Sequence, residues 1–539
     1  MCASAPRHEK RLPHLDELTL DEKIGQLFSV RGYGVFMGQS SPRYAALRDQ
    51  VGRDGVGGIC WFASNVYETA ELTRRLQGEA KIPMLISADL ESGMGMRFFD
   101  TTFWPPAMAV AATGDPTLAE QEGRVVAREA RALGVNHILA PVADVNVDPD
   151  NPVINARSFG EDPADVSRFV AAFVRGVQSE HVLATAKHFP GHGDTHVDSH
   201  LSMPTINASR ARLEQVELVP FRAAIDAGVK SVMIGHLFVP ALDPASLPAT
   251  ISHSIIEGVL RKELGYDGLI VSDAFDMGGI TEHFDAGEAA VRAIEAGEDQ
   301  VLLPADTDAA IAGVKAAVRS GRLSEARIDQ SVRRILEAKA FVGSTVADPD
   351  EIFRVVDAKE HRDVAAEIAR RAITLVRNDA GVLPLRGDKR VALVIVTDGW
   401  DAVNPLADFE RELEPVQTIT IDPRTREDQL PKIDADVVIA AFTLRARSGA
   451  VAISFPPAAR KLLEMVDGRN VVGIAFGTPY LLREMPGIGT YLVAYGPQPV
   501  LQHAALAALR GEAPVTGKLP VTIPGLYRRG HGIVTVAPH

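Results

Sequence analysis

The first 340 residues alternate between short apolar runs and longer amphipathic stretches. The longer stretches, such as Pro116–Leu133 and Leu213–Ala227, predict helices. This alternation is typical of repeated β-α units around a parallel sheet. Seven or eight such units in about 340 residues match the size of a (β/α)8 barrel of the TIM type. The apolar runs predict strands near Val56–Trp61, Met84–Ala88, His137–Ala140, Leu183–Ala186, Ser231–Ile234, Leu269–Val271 and Gln300–Leu303.

Polar residues follow five of these predicted strands in succession. They are Asp89, Asp144, Lys187–His188, His236 and Asp273. Each residue alone could be a helix cap or a turn residue, roles in which Asp is common. In barrels of this type the strand ends converge at the C-terminal mouth, where the active site lies. The succession therefore favours a site at the mouth.

The chain is too long for one hydrophobic core, so we expect two domains. A turn-rich stretch follows the predicted helix Ile328–Phe341, and a further helix begins at Lys359. The later strands and helices predict a three-layer α/β sandwich. We expect the barrel in residues 1–343, a linker in 344–364 and the sandwich in 365–539. The strands of the second domain are predicted at Val391–Val396, Val437–Phe442, Val471–Phe476 and Tyr491–Tyr495.

Composition limits the class of partner. The net charge of -14 disfavours nucleic acid and anionic membrane surfaces, which demand basic patches. No run of about 20 apolar residues occurs, so no membrane span is expected. Only Cys2 and Cys60 are present, which excludes a disulfide framework and suits a reducing, cytoplasmic compartment. The alternative is a periplasmic or lipid-anchored protein, if the Met1-Cys2 start reflects a removed signal peptide. The oligomeric state is not predicted.

The segment from Lys187 to His200 reads Lys-His-Phe-Pro-Gly-His-Gly-Asp-Thr-His-Val-Asp-Ser-His and holds four of the chain's 15 histidines. Histidines four apart on a helix could bind zinc together. Pro190, Gly191 and Gly193 argue against a helix here, because proline removes a donor and each glycine costs about 1 kcal/mol. We therefore expect a shaped loop with no metal and no cofactor.

This loop fits at every position the pattern that marks the β-N-acetylglucosaminidases of glycoside hydrolase family 3, and the chain resembles that family along nearly its whole length. One departure concerns the segment Asp89–Arg97, where small single-domain relatives have an arginine in place of Met94. That departure affects the transfer of specificity for muropeptide fragments. The other segments that resemble the family are Leu18–Phe28, Asn155–Pro163, Val271–Met277 and Gly517–Pro524.

Retaining glycoside hydrolysis needs a carboxylate nucleophile and a second group that acts first as acid and then as base. Asp273 suits the first role because it follows an apolar strand and would face the barrel mouth; the alternative is a helix cap. The resemblance identifies Asp273 as the nucleophile and His200, paired with Asp198, as the acid/base. A histidine with a pKa of about 6.5 can serve in both steps at neutral pH, and Asp198 would orient its ring.

The resemblance also implies a set of contacts to the sugar on the non-reducing side. The alternative for each of these residues is a structural ion-pair network, since buried charges are tolerated when they pair. Asp144 is expected to support the barrel edge. The predicted substrate-binding residues are Asp89, Arg157, Lys187 and His188, with Arg97 and His236 as weaker candidates.

The resemblance thus implies a retaining, exo-acting enzyme that removes terminal β-linked N-acetylglucosamine. Small carbohydrates are the expected partners, with peptidoglycan or chitin fragments as candidates and bacterial peptidoglycan recycling as a candidate role. A second hypothesis is a phosphorylase, because a neutral histidine would not repel an entering phosphate dianion. A β-glucosidase of the same family is a third. A non-catalytic carbohydrate-binding or metal-dependent protein is disfavoured by the presence of Asp273, Asp198 and His200.

Overall fold

The computed structural model describes two α/β units formed by one chain. The described residues are 10–195, 203–245, 247–343, 347–379, 381–385, 387–399, 404–446, 453, 455–466 and 468–536.

Eight parallel strands form the first unit, in the ring order β7-β6-β5-β4-β3-β2-β1-β8. The ring is nearly closed, because Val271 of β7 makes a parallel bridge to Gln300 beside β8. This confirms the predicted barrel. The strands are β1 (Phe28–Tyr33), β2 (Gly58–Phe62), β3 (Leu85–Ala88), β4 (His137–Ile138), β5 (Leu183–Phe189), β6 (Ser231–Ile234), β7 (Leu269–Ser272) and β8 (Val301–Leu302).

Helices surround this barrel, and several begin at an aspartate whose carboxylate accepts a backbone N–H of the first turn, as Asp115 and Asp162 do. Among the described residues, no helix is both long and apolar enough to cross a membrane. The α-helices are α1 (Leu20–Gln26), α2 (Pro42–Gly52), α3 (Val66–Glu79), α4 (Ala107–Ala112), α5 (Pro116–Ala132), α6 (Pro163–Gln178), α7 (Arg210–Gln215), α8 (Val219–Asp226), α9 (Gly278–Thr281), α10 (Ala286–Ala296), α11 (Thr307–Arg319) and α12 (Glu325–Val342). A π-helix covers Ser254–Glu263, and short 3-10 helices cover Leu15–Glu17, Met94–Met96, Asn155–Arg157 and Ala249–Ile251.

The second unit is a six-stranded sheet in the order β11-β10-β12-β13-β14-β9. All neighbours are parallel except β9, which is antiparallel to β14. Its strands are β9 (Thr374–Asn378), β10 (Val391–Val396), β11 (Gln417–Ile421), β12 (Val437–Phe442), β13 (Val471–Ala475) and β14 (Thr490–Val493). Helix α13 (Pro349–Val355) packs against the barrel unit through its buried Ile352. The helices of the sandwich are α14 (Lys359–Ala372), α15 (Ala407–Leu413), α16 (Pro457–Glu464) and α17 (Pro499–Arg510), with 3-10 helices at Glu427–Gln429, Gly468–Asn470 and Pro479–Arg483.

Both faces of this second sheet are covered, which gives the predicted three-layer sandwich. Successive strand residues point to opposite faces, so Leu393 packs in the cluster that contains α17 and Val394 packs in the cluster that contains α16. The second cluster also contains Met108 and Ala109 of α4. Helix α4 of the barrel unit therefore contributes side chains to a hydrophobic cluster of the sandwich. The domain boundaries given above stay a prediction.

The strands β1, β9 and β11 were not among the predicted strands. In β1 the polar residues Ser29 and Arg31 and the flexible Gly32 interrupt the apolar run. In β11 threonines alternate with isoleucines, and every second residue is half-exposed or exposed because the strand lies at the sheet edge.

Candidate active site

Five of the predicted site residues lie at or directly after the C-terminal ends of barrel strands. Asp89 follows β3, Lys187 and His188 are among the last three residues of β5, His236 follows β6 and Asp273 follows β7. Because parallel strands end at one edge of a barrel, all five reach the same mouth.

Lys187 is the most enclosed cation of the site, with a side chain only 2% exposed. Its Nζ donates to Asp89 Oδ1 at 2.8 Å and lies 2.6 Å from Glu91 Oε1. Burial alone would lower the pKa of Lys187, but the two carboxylates outweigh burial and raise it. The ammonium group is therefore charged and held in place.

Glu91 was not among the predicted site residues, yet it joins the two halves of the charged cluster. Arg157 donates to it through two parallel bonds of 2.8 Å, from Nε to Oε2 and from Nη2 to Oε1. Burial opposes ionisation of Glu91, but Arg157 and Lys187 hold its pKa well below the ordinary value. The available signal was its position two residues after Asp89 in the same segment.

Asp89 binds a second cation, since Arg97 Nη2 donates to Asp89 Oδ2 at 2.6 Å. Burial would raise the pKa of Asp89, but Lys187 and Arg97 outweigh it and lower the pKa. The guanidinium group of Arg97 also lies over the ring of Phe62, at 4.7 Å from its centroid. Arg97, one of the two weaker candidates, thus pairs directly with an acid of the site.

His188 is oriented by Asp144, which is fully buried. The His188 ring Nδ1 lies 2.8 Å from Asp144 Oδ2, and the backbone N–H groups of His188 and His192 donate to Asp144 Oδ1 at 3.2 and 2.7 Å. A carboxylate acceptor favours the proton on Nδ1, so Nε2 is free to accept. Nε2 lies 3.5 Å from Arg157 Nη2. Asp144 thus does more than support the barrel edge.

Asp273 lies in a turn that is fixed on both sides. Its backbone N–H donates to Ile234 O of β6 at 2.8 Å, and its Oδ1 accepts the N–H of Ala274 at 2.8 Å. The side chain is partly exposed at the mouth. This places a carboxylate where a bound molecule can reach it.

His236 is buried, and both ring nitrogens contact protein atoms. Nδ1 lies 3.0 Å from Thr250 Oγ1, and Nε2 lies 2.9 Å from the carbonyl oxygen of Ala274. The structure therefore places His236 beneath the turn that carries Asp273, outside the cluster formed by Lys187 and its partners. Its predicted contact with the sugar stays a prediction.

Asp198 and His200, the predicted acid/base pair, lie outside the described residues. The described part of their loop ends at Thr195 and is tightly packed. A Cβ at Gly193 would lie 1.7 Å from Val145 O, so only glycine fits there. His192 is buried, and burial lowers its pKa to about 4, so its ring is neutral at neutral pH. Over the described residues, no group of three or more His, Cys, Asp or Glu side chains is placed to hold a metal ion.

The sandwich domain contacts the segment that carries Arg157. Tyr480 Oη accepts a bond of 3.0 Å from Asn146 Nδ2, and Asn146 Oδ1 accepts the backbone N–H of Asn155 at 2.9 Å. Further along, Thr522 donates to Glu161 from its backbone N–H at 2.8 Å and from its hydroxyl at 2.6 Å. Two segments that resemble the family, one in each domain, therefore meet at this interface.

Comparison with known proteins identifies the family. The profile "Glycosyl hydrolase family 3 N terminal domain" matches residues 19–338. A protein named beta-N-acetylglucosaminidase/beta-glucosidase from Cellulomonas fimi is 32% identical, with 94% of each chain covered. The solved structure of a family 3 beta-N-acetylglucosaminidase from Paenibacillus sp. str. FPU-7 is 34% identical with a TM-score of 0.83, covering 94% of this chain and 99% of that chain. A beta-glucoside phosphorylase bound to 2FGlc is 27% identical with a TM-score of 0.86, covering 95% of each chain.

The profile covers more than half of the chain, and the relative from Cellulomonas fimi matches it over both domains. This chain therefore belongs to glycoside hydrolase family 3 and is a glycoside hydrolase.

Proposed function

We propose that the protein is a retaining, exo-acting β-N-acetylglucosaminidase. The observation that carries the proposal is the charged cluster of Asp89, Glu91, Lys187, Arg157 and His188 at the same barrel mouth as Asp273. Such a cluster offers donors and acceptors at fixed positions to the hydroxyl groups of one sugar ring. The acetamido preference is supported by the loop from Lys187 to His200 and by the names of two relatives.

In the proposed first step, Asp273 attacks the anomeric carbon of the terminal sugar while His200 donates a proton to the departing glycosidic oxygen. A covalent glycosyl-enzyme ester forms and the alcohol leaves. In the second step the now neutral His200 takes a proton from water, whose oxygen attacks the anomeric carbon and releases Asp273. Two inversions leave the product in the β configuration. Asp198 orients the His200 ring and stabilises its protonated form.

The first test is Asp273→Asn, assayed with an aryl β-N-acetylglucosaminide. Loss of the nucleophile should lower kcat by a factor on the order of 10³ or more. Asp267→Asn is the matched control, because Asp267 precedes the same strand β7 at the opposite end of the barrel and has a 91% exposed side chain. Proton NMR of the first product should show the β anomer. An initial α anomer, or equal loss in both variants, would contradict the mechanism.

The acid/base assignment has a separate test. His200→Ala should slow substrates with poor leaving groups far more than substrates with activated aryl groups, because only poor leaving groups need the proton. Rates across a series of leaving groups measure this difference. Equal slowing of the whole series would remove His200 from the role.

A phosphorylase is the second candidate, favoured by the match to the beta-glucoside phosphorylase structure over 95% of both chains. In that reaction phosphate replaces water in the second step and the product is a sugar 1-phosphate. The decisive measurement is product analysis with aryl β-N-acetylglucosaminide and aryl β-glucoside, each with and without phosphate. Free N-acetylglucosamine under both conditions supports the hydrolase. Cleavage of only the glucoside would favour a β-glucosidase, an activity that the name of the Cellulomonas fimi relative also includes.

A further inference from the structure

Exposed aromatic side chains are concentrated at one part of the barrel mouth. Among the described residues, six aromatic side chains are exposed, and five of them lie at the end of β1 or in the segments that follow β1, β2 and β3. Phe36 is 81% exposed and Phe99 is 61% exposed. Exposed apolar groups that cluster in this way mark binding surfaces. We call this group the aromatic rim, and it consists of Tyr33, Phe36, Tyr67, Phe99 and Phe103.

The backbone beneath the aromatic rim is ordered by one serine. Ser64 donates its N–H to Arg97 O at 2.8 Å and accepts the N–H of Phe99 at 3.1 Å. Its hydroxyl oxygen accepts the N–H of Gly34 at 3.1 Å. The segments after β1, β2 and β3 are thus bonded to one another. A ligand that binds here would not have to order them, which favours affinity.

The aromatic rim is continuous with the charged cluster of the site. The ring of Phe62, at the end of β2, lies beneath two guanidinium groups, with Arg31 at 4.4 Å and Arg97 at 4.7 Å from its centroid. Arg97 pairs with Asp89 of the cluster. Arg31 pairs at 2.6 Å with Asp276, three residues beyond Asp273. The mouth therefore continues from the enclosed charged groups to an open aromatic surface.

We propose that the aromatic rim binds the sugar units on the leaving-group side of a β-linked N-acetylglucosamine oligosaccharide. This inference rests on the proposed function. An exo-acting enzyme encloses one terminal sugar, so the remaining units must leave the charged cluster through the open mouth. The C–H faces of β-linked sugars are apolar and flat, and aromatic rings offer them rigid stacking surfaces at small conformational cost. The aromatic rim lies beside the charged cluster. Together they fit a ligand that has apolar faces for the aromatic rings and polar edges for the charged groups.

The test compares long and short substrates in surface variants. Phe36→Ala and Phe99→Ala should each lower kcat/KM for chitotetraose about threefold to tenfold, since one stacking contact is removed. Activity on an aryl β-N-acetylglucosaminide should change less, because its single aryl ring stands in place of three sugar units on the leaving-group side. Phe353→Ala is the matched control, because Phe353 lies on α13 and is 82% exposed. Thermal unfolding of each variant checks that the fold is retained.

Equal loss on both substrates, or no loss on chitotetraose, would overturn the proposal. Sedimentation distinguishes another occupant: if the two variants dissociate an oligomer while leaving chitotetraose kinetics unchanged, the aromatic rim is an interface between copies of this chain. Failure of the proposed function is a different result. If the wild type cleaves aryl β-glucosides and not the acetamido sugar, the same variants are compared on cellotetraose, and the same chain-length criterion applies.

Discussion

Glu91 shows how one residue can determine the arrangement of several others. Its carboxylate forms an ion pair with Lys187 and accepts two hydrogen bonds from the guanidinium group of Arg157. Lys187 in turn reaches Asp89, and Arg157 reaches His188. Removing one partner from a buried ion pair leaves the other charge without compensation, which is more damaging than loss of the contact alone. The arrangement of the whole charged cluster therefore depends on Glu91.

Glu91→Gln keeps the side-chain shape but removes the charge between Lys187 and Arg157. We expect kcat/KM on an aryl β-N-acetylglucosaminide to fall at least a hundredfold. The free energy of unfolding should fall by about 3 kcal/mol, which is the lower end of the range for removing one partner of a buried ion pair. Urea unfolding and steady-state kinetics measure both effects.

Glu71→Gln is the control for Glu91→Gln. Glu71 also binds two cations, Arg74 and Arg75, but its side chain is 44% exposed on α3. Exposed pairs contribute about 0 to 1 kcal/mol, so this variant should unfold and react like the wild type. Similar losses in the two variants would show that Glu91 has no special role in the site.

At the scale of elements, the sequence predicted the strands that repeat as apolar runs. It missed strands with an irregular pattern and contacts between residues that are far apart in the chain. Seven strands of the barrel follow from apolar runs, whereas the broken pattern of β1 and the edge position of β11 conceal two others. Glu91 was missed because its partner Arg157 is 66 residues away and the spacing carries no signal of the fork. Asp144 was placed at the barrel edge, but its bond to His188 joins residues 44 apart. Such contacts depend on how neighbouring strand ends are arranged in space.

The pair of helices α5 and α6 contains a buried acid that the proposed chemistry does not use. The helices approach closely, since a Cβ at Gly176 of α6 would lie 2.1 Å from Glu120 O of α5. Glu122, also on α5, is 2% exposed, and its Oε1 has no hydrogen-bond partner within the described part of the chain. Burial raises the pKa of Glu122 well above its ordinary value.

Glu122→Gln should stabilise the protein, and the gain should grow with pH. In the wild type the folded state holds the Glu122 proton to higher pH than the unfolded chain, whose pKa is about 4.3. Unfolding free energy therefore falls by about 1.4 kcal/mol per pH unit from pH ~4.3 up to the folded pKa. Glutamine does not titrate, so the variant does not lose stability in this way as the pH rises. We therefore expect its free energy of unfolding to exceed that of the wild type by at least about 1 kcal/mol at pH 7 and to equal it at pH 4.

Urea unfolding from pH 4 to pH 8 measures the effect of Glu122→Gln. Glu120→Gln is the control on the same helix, because Glu120 is partly exposed and lies near Arg124 and Arg175. That variant should show no gain that increases with pH. A constant difference between Glu122→Gln and the wild type at every pH would contradict the assignment to proton binding.

At the scale of the whole molecule, the sandwich domain belongs to the structure of the site even though its residues lie far from Asp273 in sequence. Sequence spacing predicted two domains but left open whether the second contributes to the site, since the partners Asn146 and Tyr480 are 334 residues apart. The structure joins them through one buried phenol. The path continues from Asn146 to the backbone of Asn155, which has a φ of 43°, and then along the 3-10 helix to Arg157. A defined series of hydrogen bonds thus connects the sandwich to the barrel segment that carries Arg157.

Tyr480→Phe tests this path by removing only the hydroxyl group. Without Tyr480 Oη, the buried Nδ2 of Asn146 keeps only its longer bond of 3.3 Å to Asp148 O, so the amide shifts and the turn before Arg157 loosens. Sugar binding should then weaken: we expect KM for an aryl β-N-acetylglucosaminide to rise about tenfold with kcat within a factor of about 3. Tyr491→Phe is the matched control, because Tyr491 is also buried in the sandwich and donates to Pro479 O at 3.3 Å within its own domain. Both variants should lose about 1 kcal/mol of stability, but only Tyr480→Phe should change KM. If both variants raised KM equally, or neither did, the effect would be one of general stability and the path from Tyr480 to Arg157 would not operate.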